Sequence, residues 1–115
     1  MKKNKVVQGN YLEKIPVRPD RIFWTKDEKG IVTLEIENTG ALNRVMQKLF
    51  RKPRVSYIHL DENGSFVWQQ IDGKKSIAEI APAVKERFGD AANPLYEGLA
   101  KFFQILDSYS FIEWK

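Results

Sequence analysis

The sequence predicts an α+β fold, in which a three-stranded antiparallel sheet is followed by three helices. Residues 21–27, 30–38 and 55–60 alternate in the way that is typical of strands with one buried face. Beyond residue 61, apolar residues recur at helical spacing in three segments separated by cap and turn residues. A short strand, Phe-Ile-Glu-Trp, follows the helices. From residue 55 onward this order is winged-helix-like.

The first two strands are predicted to form an antiparallel hairpin. Residues 27–30 (Asp-Glu-Lys-Gly) favour a turn between them, because glycine adopts positive φ readily. Ile22 and Trp24 share one face of the first strand, and Phe23 lies on the other. One face of the second strand carries Val32, Leu34 and Ile36.

Residues 41–52 interrupt the strand pattern and predict a short, basic, amphipathic helix that is inserted between the second and third strands. Pro53 ends this helix. We expect it to pack on the sheet, since so short a helix buries too little area to hold a membrane firmly; a membrane-surface role is the alternative. Its apolar residues are Ala41, Leu42, Val45, Met46, Leu49 and Phe50.

Each of the three later helices begins at a residue that can cap its free backbone N–H groups. Asp61 precedes the first helix. Ser76 precedes the second, and Glu79 completes a capping box three residues later. Asn93 is predicted to cap the third helix, with Pro94 at the first helical position.

Apolar stripes predict the buried faces of these helices. The stripe of the first consists of Phe66, Val67, Gln70 and Ile71, with Trp68 at its margin. That of the second consists of Ile77, Ile80, Ala81, Val84 and Phe88. The third covers a wider arc, with Leu95, Tyr96, Leu99, Phe102, Phe103, Leu106 and Tyr109.

Length and composition predict one domain over residues 21–115, preceded by a flexible arm over residues 1–20 in which Pro16 and Pro19 disfavour regular structure. The arm is basic but lacks the apolar segment of a secretory signal. No apolar run approaches the ~20 residues of a membrane-spanning helix. We therefore expect a cytoplasmic protein.

Several kinds of site are excluded by residue type. The chain has no cysteine, which excludes disulfides, cysteine-bound zinc, iron–sulfur clusters and thiol catalysis. His59 is the sole histidine, so no pair of histidines can bind a metal within one chain. We predict neither a metal nor a cofactor.

The net charge of +4 is unevenly distributed. Residues 1–54 carry 13 Lys/Arg and 6 Asp/Glu, whereas residues 55–115 carry 6 and 9. This asymmetry suits attraction of nucleic acid, an anionic membrane or an acidic peptide; a solvated basic face is the simpler interpretation. The densest basic cluster is Arg44, Lys48, Arg51, Lys52 and Arg54.

Three features occur together in a specific order and spacing. Leu60 and Asp61 end the third strand, the next helix ends in Asp72-Gly73, and the helix after it begins Ser-Ile-Ala-Glu-Ile at residues 76–80. In these features the chain resembles the PqqD family of small peptide-chaperone domains, which bind leader peptides of ribosomally made, modified peptides.

The resemblance covers roughly residues 21–114 and implies a three-stranded antiparallel sheet followed by three helices. The insert of residues 38–54 departs from it, because many relatives have only a short turn there. The resemblance also implies a non-catalytic binder, in which the leader peptide adds as a strand beside the third strand and places side chains in a groove next to the third helix. Main-chain pairing at a strand edge gives affinity, and alternating pockets give specificity.

Carried onto this sequence, the resemblance implies a peptide-binding site and a peptide-modifying enzyme, often a radical-SAM enzyme, as partner. His59 is expected to be a surface residue rather than an acid or base. The candidate peptide-binding residues are Val55, Ser56, Tyr57 and His59 on the strand, and Leu99, Phe102, Phe103 and Leu106 on the third helix.

Two other functions have less support in the sequence. A winged-helix nucleic-acid-binding or regulatory domain should carry basic and amide side chains on its recognition helix, whereas the third helix has Lys101 and Gln104 together with Glu97 and Asp107. An enzyme should show a phosphate loop, a metal-ligand spacing or a nucleophile with its base, and none is present. An open strand edge also allows a homodimer.

Overall fold

The computed structural model describes residues 9–38 and 54–115. The strands are β1 (Pro16–Val17), β2 (Phe23–Lys26), β3 (Val32–Asn38), β4 (Arg54–His59) and β5 (Glu113–Trp114). The helices are α1 (Gly9–Leu12), α2 (Glu62–Gln70), α3 (Ile77–Phe88) and α4 (Leu95–Ser108), and a 3₁₀ turn, Gly89–Ala92, joins α3 to α4. The α+β prediction is therefore confirmed. The predicted helix over residues 41–52 lies outside the described residues.

The principal sheet is antiparallel and has the strand order β2-β3-β4. Val32 and Leu34 on β3 are fully buried, and Phe23 on β2 faces solvent, as alternation predicts. The β2–β3 turn is fixed by the Asp27 carboxylate, which accepts hydrogen bonds from the backbone N–H groups of Lys29 and Ile31. Gly30 takes a φ of 84° in this turn, which explains the glycine.

Two side chains fix the first turn of α2, and one of them, Ser65, joins it to the sheet. The Asp61 carboxylate caps α2 by accepting a 2.7 Å hydrogen bond from the backbone N–H of Gly64, as predicted. The buried hydroxyl of Ser65 accepts from the N–H of Val32 at 2.8 Å and donates to the carbonyl of Leu60 at 3.3 Å. Ser65 therefore satisfies the first N–H of β3, which would otherwise be buried without a partner.

The starts of α3 and α4 differ in how well the sequence predicts them. Both hydrogen bonds of the Ser76–Glu79 capping box are present. The predicted cap of α4 is wrong by one residue: Pro94 occupies the N-cap position without a side-chain hydrogen bond, and Asn93 instead ends the 3₁₀ turn. This short turn between α3 and α4 was not visible in the periodicity, and it shifts the start of α4.

The core lies between the sheet and the three helices. Trp68 is fully buried at its centre, with its ring 6.4 Å from that of Trp24, so the prediction that places Trp68 at the margin of its stripe is wrong. Helical periodicity gives the angular position of a side chain but does not show that β2 packs over that side of α2. The fully or nearly fully buried apolar residues with the largest side chains are Trp68, Phe103, Leu34, Ile71, Ile77 and Ile80.

Regular structure begins before residue 21, in contrast to the predicted loose arm. β1 pairs antiparallel with β5, and the Tyr11 ring packs edge-on against Trp114 at 5.9 Å. The carbonyls of Lys14 and Ile15 accept hydrogen bonds from the N–H groups of Ile77 and Lys115. Because this segment contributes carbonyl acceptors, the missing N–H of Pro16 is tolerated. Residues 1–8 lie outside the described residues.

Candidate functional site

β4 is an edge strand whose outer side is not paired with any of the residues that the structure describes. The N–H of Leu60, just after the strand, donates to the carbonyl of Val32 on the inner side. Backbone groups of an antiparallel strand alternate in direction, so those of Val55, Tyr57 and His59 point to the outer side. β4 thus presents a row of donors and acceptors along its free edge.

The side chains of these same three residues lie on the face of the sheet away from the helices. Val55 is 41% exposed and Tyr57 61% exposed. Tyr57 is the register partner of Glu35 on β3, and Glu35 is the partner of the exposed Phe23 on β2. Apolar rings therefore flank a carboxylate across the outer face of the sheet.

Two further predicted strand residues have defined neighbours. His59 is exposed, and its Nδ1 lies 2.8 Å from the Thr33 hydroxyl, which orients the imidazole on the outer face. Ser56 is exposed and pairs in register with Ile36, so its backbone turns toward β3 rather than to the free edge. Strand addition would accordingly use Val55, Tyr57 and His59 directly.

The predicted groove residues on α4 separate into two groups. Phe103 is 0% exposed and Leu106 3% exposed, and Leu99 is also buried, so these three form the inner face of α4 and belong to the core. A ligand would reach Phe103 or Leu106 only by displacing core side chains, and neither residue lines the cleft described below, so their assignment to a groove wall stays a prediction. Phe102 is half-buried and remains accessible. The apolar arc of α4 was too wide for the sequence to separate these groups.

Phe102 lies at a cleft beside the first turn of α2. A Cβ atom built on Gly64 would lie 3.0 Å from the Phe102 ring and 3.0 Å from the Asp61 carboxylate, so glycine permits the close approach of these groups. Besides Phe102, the cleft is lined by Asp61, Asn63, Gly64, Val67, Val84, Ala92, Leu95, Gly98 and Leu99. It opens two residues beyond the end of β4, at Asp61.

Sequence reasoning missed the exposed apolar side of α4. Ile105 and Tyr109 are both largely exposed, and the Tyr109 ring stacks on Phe111 at 5.4 Å. They follow Phe102 at three and seven residues and therefore lie on the same side of the helix. This spacing of three and seven residues is the sequence pattern from which the exposed apolar side of α4 could have been predicted.

The pKa values of Arg18, near β2, and of Asp72, in the turn after α2, are shifted for structural reasons. Burial lowers the pKa of Arg18, whose guanidinium lies over the Trp24 ring at 4.9 Å, while the nearby Asp72 carboxylate opposes this shift. The backbone N–H groups of Lys75 and Lys74 lower the pKa of Asp72. Asp72 thereby fixes the turn between α2 and α3.

Comparison with known proteins assigns the family. The model of the family described as Coenzyme PQQ synthesis protein D (PqqD) matches residues 32–112, which is most of the chain. The chain belongs to the PqqD family. The matched region includes β3, β4, the cleft and all of α4, whereas α1, β1 and β2 precede it. Comparisons with curated proteins and with solved structures gave no match.

Two absences within the described ranges concern membranes and metal ions. No helix within residues 9–38 and 54–115 is long and apolar enough to cross a membrane. Within the same ranges, no three His, Asp or Glu side chains are grouped as a metal ion would require.

Proposed function

We propose that this PqqD-family protein is a non-catalytic peptide-binding module. It captures the leader of a ribosomally made precursor peptide by adding the leader as a strand beside β4, and it presents that peptide to a modifying enzyme, such as a radical-SAM enzyme. The observation that carries the proposal is the outer edge of β4, which pairs with no strand among residues 9–38 and 54–115 and to which the backbone groups of Val55, Tyr57 and His59 point. Family membership supports an accessory role in biosynthesis.

The geometry suits a site in which main-chain hydrogen bonds supply most of the affinity and side-chain contacts add to it. Each outward residue can exchange two hydrogen bonds with a peptide strand, and each such bond contributes about 0.5–1.5 kcal/mol net. Part of this gain offsets the entropy lost on association, so moderate affinity is expected. Moderate affinity suffices for presentation, because a peptide held near an enzyme has a high effective concentration.

Nucleic-acid binding has less support than peptide binding. The exposed residues of α4 include Glu97 and Asp107 beside Lys101, and Tyr96, Ile105 and Tyr109 add apolar surface. A helix that enters a nucleic-acid groove needs a predominantly basic and amide surface.

The test removes one outward N–H donor from β4. Tyr57→Pro deletes the donor at the free edge but spares the inward bonds to β3, and proline is tolerated on edge strands. Tyr57→Thr is the matched control, since it keeps the N–H and a high strand propensity but removes the ring, as proline does. Peptides that co-purify with the tagged protein from its native lysate are identified by mass spectrometry, synthesised, and titrated against each variant.

We expect Tyr57→Pro to weaken binding about 2- to 13-fold, as loss of one main-chain hydrogen bond implies, and Tyr57→Thr to weaken it less. Titrations are made at concentrations where light scattering gives the monomer mass, because a second copy would compete for the same edge. Equal affinities of Tyr57→Pro and wild type would refute strand addition at β4.

A further inference from the structure

The cleft between α2, α3 and α4 is a candidate site beyond the β4 edge. It encloses about 200 Å³, and its wall is mostly apolar. For comparison, an apolar protein cavity of about 150 Å³ binds benzene. The space therefore suits one leucine- or phenylalanine-sized side chain.

Gly98 in the wall of this cleft has no structural reason to be glycine. It lies inside α4, where its N–H donates to the carbonyl of Pro94 at 2.9 Å, and it is exposed. A Cβ atom at this position would meet nothing within 4 Å, so no neighbour forbids a side chain. Glycine in a helix interior lowers the folded-to-unfolded ratio about fivefold relative to alanine. The chain thus carries a less stable helix and a more open cleft.

We propose that this cleft binds a single large apolar side chain of the partner peptide. That the ligand is a peptide rests on the function proposed above; that the cleft accepts an apolar side chain rests on its volume, its lining and Gly98. The walls that contact the side chain are Val67, Val84, Leu95, Leu99 and Phe102.

The position of the cleft determines which part of the peptide carries this apolar side chain. β4 ends at His59, and Asp61 forms part of the cleft rim. A peptide strand that pairs along β4 and continues past His59 reaches the rim within about two residues, at about 3.3 Å per residue. The apolar anchor therefore lies just outside the paired segment, at the end beside His59.

The experiment uses capped leucine, N-acetyl-leucine-N-methylamide, as a probe that cannot form a strand of useful length. Methyl NMR follows Val67, Val84, Leu95 and Leu99 during titration of the full chain. Gly98→Leu fills the cleft with a side chain, whereas Gly98→Ala supplies the same gain in helix propensity and leaves most of the space. Capped aspartate is the control for non-specific shifts.

We expect saturable shifts of these methyl groups with capped leucine in wild type and Gly98→Ala, and their loss in Gly98→Leu. Thermal unfolding should show both variants to be at least as stable as wild type, so that lost binding is not lost folding. The proposal is overturned if capped leucine produces no more shift than capped aspartate, or if Gly98→Leu responds like wild type.

The result of the capped-leucine experiment can be distinguished from the result of the strand-addition test at β4. Tyr57→Pro leaves the cleft intact, so it should bind capped leucine as wild type does, and a loss of binding in this variant would count against a separate site. For a peptide identified by the β4 test, Gly98→Leu should weaken binding about 10- to 100-fold, the contribution of one buried apolar side chain. Unchanged peptide affinity in Gly98→Leu would overturn the cleft assignment and leave strand addition standing.

Discussion

Replacing Phe103 with alanine tests whether the inner face of α4 belongs to the core rather than to a groove. The ring is fully buried, 5.6 Å from the Phe102 ring and 6.3 Å from the Trp114 ring. Truncating a buried phenylalanine costs about 3–5 kcal/mol through lost burial and the cavity left behind. Since small domains are stable by about 5–15 kcal/mol, this single change removes a large share of the total.

Urea unfolding followed by tryptophan fluorescence measures the effect. With an m value of about 2 kcal/mol/M, a loss of about 4 kcal/mol lowers the midpoint by about 2 M. Phe102→Ala is the matched control: the neighbouring ring is only half-buried, so about 1–2 kcal/mol is expected. If Phe103→Ala does not fold, Phe103→Leu should still fold with a loss of about 1–2 kcal/mol. Equal midpoints for the Phe102 and Phe103 alanine variants would refute this description of α4.

Three further predictions concern bonds that hold the fold. Ser65→Ala leaves the Val32 N–H buried without its partner and should cost about 1–3 kcal/mol in urea unfolding; a cost near zero would show that this bond is not made. Ser76→Ala removes half of the capping box and should cost about 1 kcal/mol, whereas Ser76→Asp, which retains a capping oxygen, should restore most of it. Burial raises the pKa of Tyr11 to about 12, with a smaller contribution from Asp107. The unfolded chain therefore loses this proton first, so stability should fall as pH rises from about 10 to 12, and Tyr11→Phe should reduce that slope.

The sequence predicts the sheet and the helix starts well where a local pattern is sufficient. Alternation around Val32 and Leu34 identifies the buried face of β3, and the Ser76–Glu79 spacing identifies the start of α3, because both depend on neighbours in the chain. The same alternation places Val55 and Tyr57 on the exposed face of β4, as the structure shows.

Features that depend on packing between distant segments were not predictable in this way. The pairing of β1 with β5 joins Pro16 to Trp114, and no local pattern at Pro16 indicates that partner. On α4, only the packed structure separates the buried Phe103 from the accessible Phe102. The cleft is assembled from three helices and a 3₁₀ turn, so its apolar residues looked like ordinary core residues in the sequence.

Backbone amide hydrogen exchange along β4, read residue by residue by NMR, tests the free edge most directly. In the free monomer, the amides of Val55, Tyr57 and His59 should exchange rapidly, while those of Ser56 and Ile58 should be protected by pairing with β3. Adding the peptide that co-purifies with the protein should protect the three outward amides from exchange and change the exchange rates of the inward amides little. Protection of all β4 amides in the free monomer, or continued rapid exchange of the outward amides in the complex, would contradict peptide capture by strand addition.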